Sequence, residues 1–144
     1  MMIIKDAIRE RLGNKIIAWE EKSSRRVYFT VAKEDILEAA RLLFKELGLR
    51  FAIASGADTT EALEILYHFS YDKNGEFYSV RVLLRDKAHP EIDSLARLFP
   101  GAEWIEREIW EMLGIKFKGH PNLKRLLLAE DWPEGNYPLR RESS

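Results

Sequence analysis

Hydrophobic residues recur along this chain with two different periods. Ile4, Ile8 and Leu12 are spaced as on one face of a helix, among charged neighbours, and predict a short amphipathic helix over 3–12 that stops at Gly13. Ile16–Trp19 is a short apolar run, and Val27, Phe29 and Val31 then alternate with Arg26, Tyr28 and Thr30, the period of a half-buried strand. The polar segment 22–25 between them reads as a hairpin turn. Over 33–47 the apolar set Ile36, Leu37, Ala40, Leu43, Phe44 and Leu47 keeps one helical face, with Glu34 and Asp35 in the first turn and Gly48 as the stop.

Residues 49–54 follow, then a turn-rich patch at 55–58. Two long strands are predicted over 63–71 and 76–85, joined at Asp72-Lys73-Asn74-Gly75, where Asn-Gly signals a hairpin because both residues tolerate positive φ. After His89-Pro90 the pattern predicts a helix over 91–99, ended by Pro100-Gly101, and a second helix over 102–113, stopped by Gly114. From Ile115 onward glycine and proline punctuate a stretch that keeps Phe117, Leu123, Leu126, Trp132, Tyr137 and Leu139. It is too apolar for a solvated tail and too broken for regular structure. The expected fold is therefore α+β: a small antiparallel or mixed sheet of three to five strands packed with helices over 1–114. An extended C-terminal arm over 115–144 would lie on the domain or on partner subunits.

Composition narrows the chemistry. The 144 residues are 46% hydrophobic and fit one domain with a substantial core. With 23 basic and 24 acidic residues, no overall field would recruit nucleic acid. The chain has no cysteine, so disulfides, thiolate zinc, iron-sulfur ligation and cysteine nucleophiles are excluded for it. No apolar run approaches the roughly 18 residues of a membrane span, and the start turns charged too soon for a signal peptide. An intracellular, soluble protein held at a membrane only by partners is expected.

The densest candidate cluster lies on the helix over 102–113. Its expected buried stripe is Ile105, Ile109, Met112 and Leu113, with Glu103, Arg107 and Glu111 on another face, where Arg107 can pair with either acid. Glu106, Glu108 and His120 could supply an acid and a base if they converged on a pocket, but neighbouring arginine and water favour plain ionisation, so a solvated or interface helix is expected. Trp104 and Trp110 favour the interface, because tryptophan is enriched in buried interface centres. His68, His89 and His120 show no ligand spacing, so neither a metal site nor a cofactor site is expected in this chain. Lys124, Arg125, Arg140 and Arg141 suit an acidic protein neighbour better than nucleic acid. A glycine-rich phosphate loop and the common hydrolase motifs are absent.

The run over 106–127 resembles the signature of the 30 kDa subunit family of respiratory complex I, which also occurs in related membrane-bound hydrogenases. The matching positions are Glu106-Arg107-Glu108, Glu111, Met112-Leu113, the spacer over 114–119, His120, Lys124 and Leu126-Leu127. Asp131-Trp132 with Pro138-Leu139-Arg140 is similar to a second family segment, although the interval between them is about two residues longer than the common form. The compact size looks more like the ferredoxin-linked hydrogenase or sulfur-reducing relatives, or a small archaeal dehydrogenase, than a mitochondrial-type subunit. The resemblance implies a cofactor-free structural subunit of a peripheral arm, at the cytoplasmic face of the membrane, in a complex that couples electron transfer to ion translocation. Its implied partners are the large catalytic subunit, of the 49 kDa or nickel-iron hydrogenase type, and iron-sulfur subunits, which would carry the clusters and any nickel-iron centre. Trp104, Glu106, Arg107, Glu108, Trp110, Glu111, Phe117, His120, Pro121, Arg125, Trp132, Leu139 and Arg140 would supply the partner contacts. The competing readings are a stand-alone acid/base enzyme using Glu106, Glu108 and His120, and a generic protein adaptor.

Overall fold

The structure, a computed structural model, describes residues 3–123 and 137–141. Helix α1 (Ile4–Leu12) buries Ile4, Ile8 and Leu12 as their spacing requires, with Asp6 in its first turn and Arg9 and Arg11 in its last. Strands β1 (Ile16–Ser23) and β2 (Arg26–Val31) form an antiparallel hairpin. A 3₁₀ turn over Lys33–Asp35 leads into α2 (Ile36–Arg41), which ends in a π-helical turn over Leu42–Glu46. Strands β3 (Arg50–Asp58), β4 (Leu63–Tyr71) and β5 (Glu76–Leu84) complete a five-stranded sheet in the order β1-β2-β5-β4-β3. β2 and β5 pair in parallel, from Arg26 opposite Phe77 to Thr30 opposite Arg81, so the sheet is mixed. The α+β class is as expected. At the turn after β4, Gly75 takes a positive φ of 77° and donates to the Tyr71 carbonyl at 2.9 Å; among non-glycine residues described, none has positive φ, so Asn74 does not share that role.

Two expectations are corrected. The 55–58 patch is not a turn but the end of β3; the chain reverses at 59–62, where the Thr59 hydroxyl and N–H both donate to the Ala62 carbonyl. Gly56 sits in a strand because a neighbour needs the room: a Cβ there would lie 2.7 Å from Leu113 Cδ1 and 3.2 Å from Ile109 Cγ2. The predicted helix over 91–99 is instead a short strand, β6 (Glu91–Asp93), followed by turns. β6 pairs in parallel with β7 (Lys116–Lys118), Ile92 opposite Phe117, and Ser94 N–H extends the ladder to the Lys118 carbonyl at 2.8 Å. The helical spacing of Ile92, Leu95 and Phe99 is real, and all three are buried, but a partner strand 25 residues on overrides it. A parallel pair needs a crossover, and α3 (Ala102–Leu113) supplies it.

The chain divides into two compact units, 1–53 with 66–82, and 54–65 with 83–144. The core of the first comprises Ile4, Ile8, Val27, Phe29, Ile36, Leu43, Tyr67, Phe69, Tyr78 and Val80. The core of the second comprises Leu63, Ile65, Leu84, Ile92, Leu95, Phe99, Ala102, Ile109, Leu113, Ile115 and Phe117. Among the described residues no helix is long and apolar enough to cross a membrane.

Candidate functional site

The motif residues gather on and around α3. This helix starts after Pro100-Gly101 with Glu103 in its first turn and closes at Gly114, whose φ of 79° lets its N–H donate to the Trp110 carbonyl at 2.8 Å. Its buried residues are Ala102, Glu106, Arg107, Ile109, Glu111 and Leu113. The phase therefore differs from the expected one: Ile109 and Leu113 are shared, but Ile105 and Met112 are only half-buried and Glu106 takes a core position. Periodicity alone rejects a carboxylate there. The structure accepts it because the turn after β6 aims two donors at it.

Glu106 is 1% exposed, and its carboxylate accepts from the Ser94 hydroxyl at 2.5 Å and from Leu95 N–H at 2.7 Å. Ser94 Oγ in turn accepts from Ala96 N–H at 3.1 Å, so the α3 carboxylate and the serine it holds satisfy the turn's Leu95 and Ala96 amides. Burial pushes the Glu106 carboxyl above its ordinary value, outweighing these hydrogen bonds, which favour the anion. The expectation of plain ionisation in water is corrected for this residue.

His120 comes from the loop after β7, and its side chain is fully buried, with Nε2 4.0 Å from Glu106. Its Nε2 lies 2.9 Å from the Glu103 carbonyl, and its Nδ1 accepts from Asn122 N–H at 2.9 Å. A carbonyl can only accept and a backbone N–H can only donate, so the ring is the neutral tautomer with its proton on Nε2. Both nitrogens are thereby committed to fastening the loop to the helix. Glu108 is exposed, away from this pair, so the three groups of the acid/base reading do not converge.

The remaining expected contact residues divide by exposure. Phe117 is 2% exposed and points into the core from β7, and Arg107 and Glu111 are buried at 7% and 2%. These side chains, with those of Glu106 and His120, are buried within this chain. Arg140 works inside the chain too, donating from Nε to the Leu113 carbonyl at 2.6 Å and from a terminal nitrogen to the Lys87 carbonyl at 3.0 Å. Leu139 N–H donates to the Met112 carbonyl at 3.0 Å, which sets 137–141 on the end of α3. A Cβ on Gly114 would lie 2.5–2.8 Å from the Tyr137 ring, so this glycine serves both the helix end and that packing.

What faces outward includes two large apolar side chains. Trp104 is 60% exposed with the Arg107 guanidinium 5.3 Å from its ring centroid, Leu139 is 57% exposed, Trp110 is half-buried, and Glu108 and Pro121 are exposed. Arg125 and Trp132, with Lys124 and the 126–127 and 131 motif positions, lie outside the described residues.

Sequence reasoning missed the Asp58 anchor. Asp58 takes Lys87 Nζ at 2.5 Å and Arg141 N–H at 2.7 Å, and Lys87 also reaches the Thr59 carbonyl at 2.6 Å. Burial would raise this carboxyl, but the hydrogen bonds from Lys87 and Arg141 and the charges of Lys87 and Arg140 hold it below its ordinary value. The only sign in the sequence is an acid among turn formers.

The family model described as "Respiratory-chain NADH dehydrogenase, 30 Kd subunit" matches residues 29–144. A curated relative, the C subunit of NADH-quinone oxidoreductase from Citrifermentans bemidjiense, is 34% identical over 139 residues, covering 94% of this chain and 84% of its own. A chain of the membrane-bound sulfane sulfur reductase, an archaeal respiratory membrane complex, superposes with a TM-score of 0.85 at 21% identity, covering 98% of this chain and 84% of that one. A trypsin-resistant fragment of Nqo5 superposes at 0.70 and 22% identity, covering 85% of this chain and all of that one. The two structures share the fold. The family match spans most of the chain, including all the buried motif positions just described, and so this protein belongs to the 30 kDa subunit family of respiratory-chain NADH dehydrogenase.

Proposed function

We propose that this chain is a structural subunit of the peripheral arm of a complex I-like membrane-bound oxidoreductase, with no redox chemistry of its own. It would hold a large catalytic subunit, of the 49 kDa or nickel-iron hydrogenase type, against iron-sulfur subunits that carry the cofactors. The observation that carries this reading is the orientation of the motif. Its ionisable groups Glu106, Arg107, Glu111 and His120 are spent inside the chain, whereas Trp104 is left 60% exposed. A large exposed tryptophan beside a guanidinium is costly in water and suits the centre of an interface. Relatives named as C subunits of NADH-quinone oxidoreductases support the setting, and the absence of cysteine agrees with clusters held elsewhere. In this reading the chain reaches the cytoplasmic face of the membrane through its partners, and ion translocation coupled to electron transfer is the work of the assembly.

The test is purification of the tagged chain from native membranes. Large, iron-sulfur and membrane subunits should co-purify, and the identity of the large subunit distinguishes quinone, sulfur and proton reduction. Trp104→Ala should fold normally yet lower that recovery by about tenfold or more. Redox turnover by the isolated chain with an artificial electron donor would overturn the proposal.

A further inference from the structure

The first compact unit carries a second surface, unrelated to α3 and to the motif. Along β2 and β5, Val27, Phe29, Tyr78 and Val80 are buried, and the alternating positions Arg26, Tyr28, Phe77, Ser79 and Arg81 point to the opposite side. There a groove is lined by Arg26, Tyr28, Ile53, His68, Phe77 and Ser79. Two of its apolar residues are conspicuously bare for a sheet: Ile53 is 54% exposed and Phe77 39%. The polar floor is organised, since His68 Nδ1 and Ser79 Oγ are 2.7 Å apart. Among the described residues the one charged side chain of the lining is Arg26, which is exposed; beside it Lys22 Nζ, paired with Glu20 at 3.3 Å, and the Arg81 guanidinium lie 5.8 and 5.6 Å from the Tyr28 ring centroid.

We propose that this groove docks an extended segment of another protein that alternates acidic and apolar side chains, its carboxylates meeting Arg26 and its apolar groups covering Phe77 and Ile53. Charge complementarity selects the acidic partner. Nucleic acid is less suited, because 23 basic against 24 acidic residues give the chain no overall field to recruit it. The lining runs across β2, β5, β4 and β3, successive neighbours in the sheet, so its width is three strand spacings of about 4.8 Å, or about 14 Å. An extended peptide of about four residues spans that width at about 3.4 Å per residue. The inference goes beyond the role proposed above and holds whichever complex the chain joins.

The experiment is titration of the full-length, ¹⁵N-labelled chain with a hexapeptide of alternating glutamate and leucine. Amide shifts should concentrate at Arg26, Tyr28, Phe77 and Ser79, and affinity should fall about tenfold between about 50 and 500 mM salt. Arg26→Glu should weaken binding by a similar factor, and Phe77→Ser should weaken it independently; both sites are exposed, and circular dichroism verifies folding. The proposal is overturned if no shifts appear at millimolar peptide, if the glutamine-leucine analogue binds equally well, or if the same amides respond to protein concentration alone. It is equally overturned if oligothymidylate or phosphatidylglycerol vesicles bind the groove and the acidic peptide does not.

Discussion

Replacing Glu106 tests whether the family motif builds the fold. In Glu106→Ala the carboxylate that accepts from Leu95 N–H and the Ser94 hydroxyl disappears from a position 1% exposed. The hydroxyl can turn elsewhere, but the amide cannot, and a buried donor left unpaired costs about 1–3 kcal/mol. The vacated side-chain volume adds about 1 kcal/mol, giving about 2–4 kcal/mol in all. Glu106→Gln keeps the shape and an acceptor for Leu95, and Ser94 Oγ can accept from its amide, so a loss within about 1 kcal/mol is expected. The pair also separates by pH. Because burial raises the folded-state value of this carboxyl, its favourable protonated form is fully present below the ordinary carboxylate range and is lost as pH rises through the raised value. Wild type should therefore lose stability relative to Glu106→Gln as pH climbs through that window. Urea denaturation across mildly acidic to neutral pH measures both effects. An alanine variant as mild as a surface substitution, or a difference between wild type and the glutamine variant that ignores pH, refutes the reasoning.

Three further outcomes are expected from equilibrium denaturation. Gly56→Ala should destabilise by about 1–3 kcal/mol through overpacking against Leu113 and Ile109, despite the entropy gain of alanine; a stabilised variant would show that α3 does not lie that close. Gly114→Ala should lose about 1–2 kcal/mol from the positive φ alone, and proteolysis should show 137–141 released, because the new methyl meets the Tyr137 ring. Lys87→Met should cost about 1 kcal/mol near neutral pH, since Asp58 keeps only the Arg141 amide. The Asp58 carboxyl is held low in the fold, so that stability is present above the ordinary carboxylate value and fades as pH falls through the lowered one; a variant penalty that persists unchanged in strong acid would contradict it.

Local patterns settled much of this protein in advance. The four-residue spacing of Ile4, Ile8 and Leu12, and the alternation through Val27, Phe29 and Val31, each match one period so well that no neighbour needed to be known. The same holds for β4 and β5 and for the span of α3, bounded by Pro100-Gly101 and Gly114. Family membership was legible because the motif is a set of side chains at fixed intervals, and intervals survive without coordinates. The role of those side chains was not legible. Whether Ile105 or Glu106 faces the core depends on what stands opposite, and Ser94 and Leu95 reach it only because β6 pairs with β7 across the helix between them.

Strand identity over 91–93 was hidden for the same reason, since its hydrogen-bonding partner lies on the far side of α3 and its own residues fit a helix equally well. Gly56 looked like a turn because glycine carries no sign of whether it serves a bend or a close approach. The parallel pairing of β2 with β5, and with it the groove of Arg26, Tyr28 and Phe77, rests on residues about 50 positions apart. The sequence by itself therefore determined most of the helical and extended segments, 91–93 and 55–58 excepted, and which family the chain resembles, because those depend on short-range periodicity and spacing. Tertiary structure alone decided which charges are buried, where the glycines make room and which faces remain open, because each of these depends on a neighbour distant in sequence.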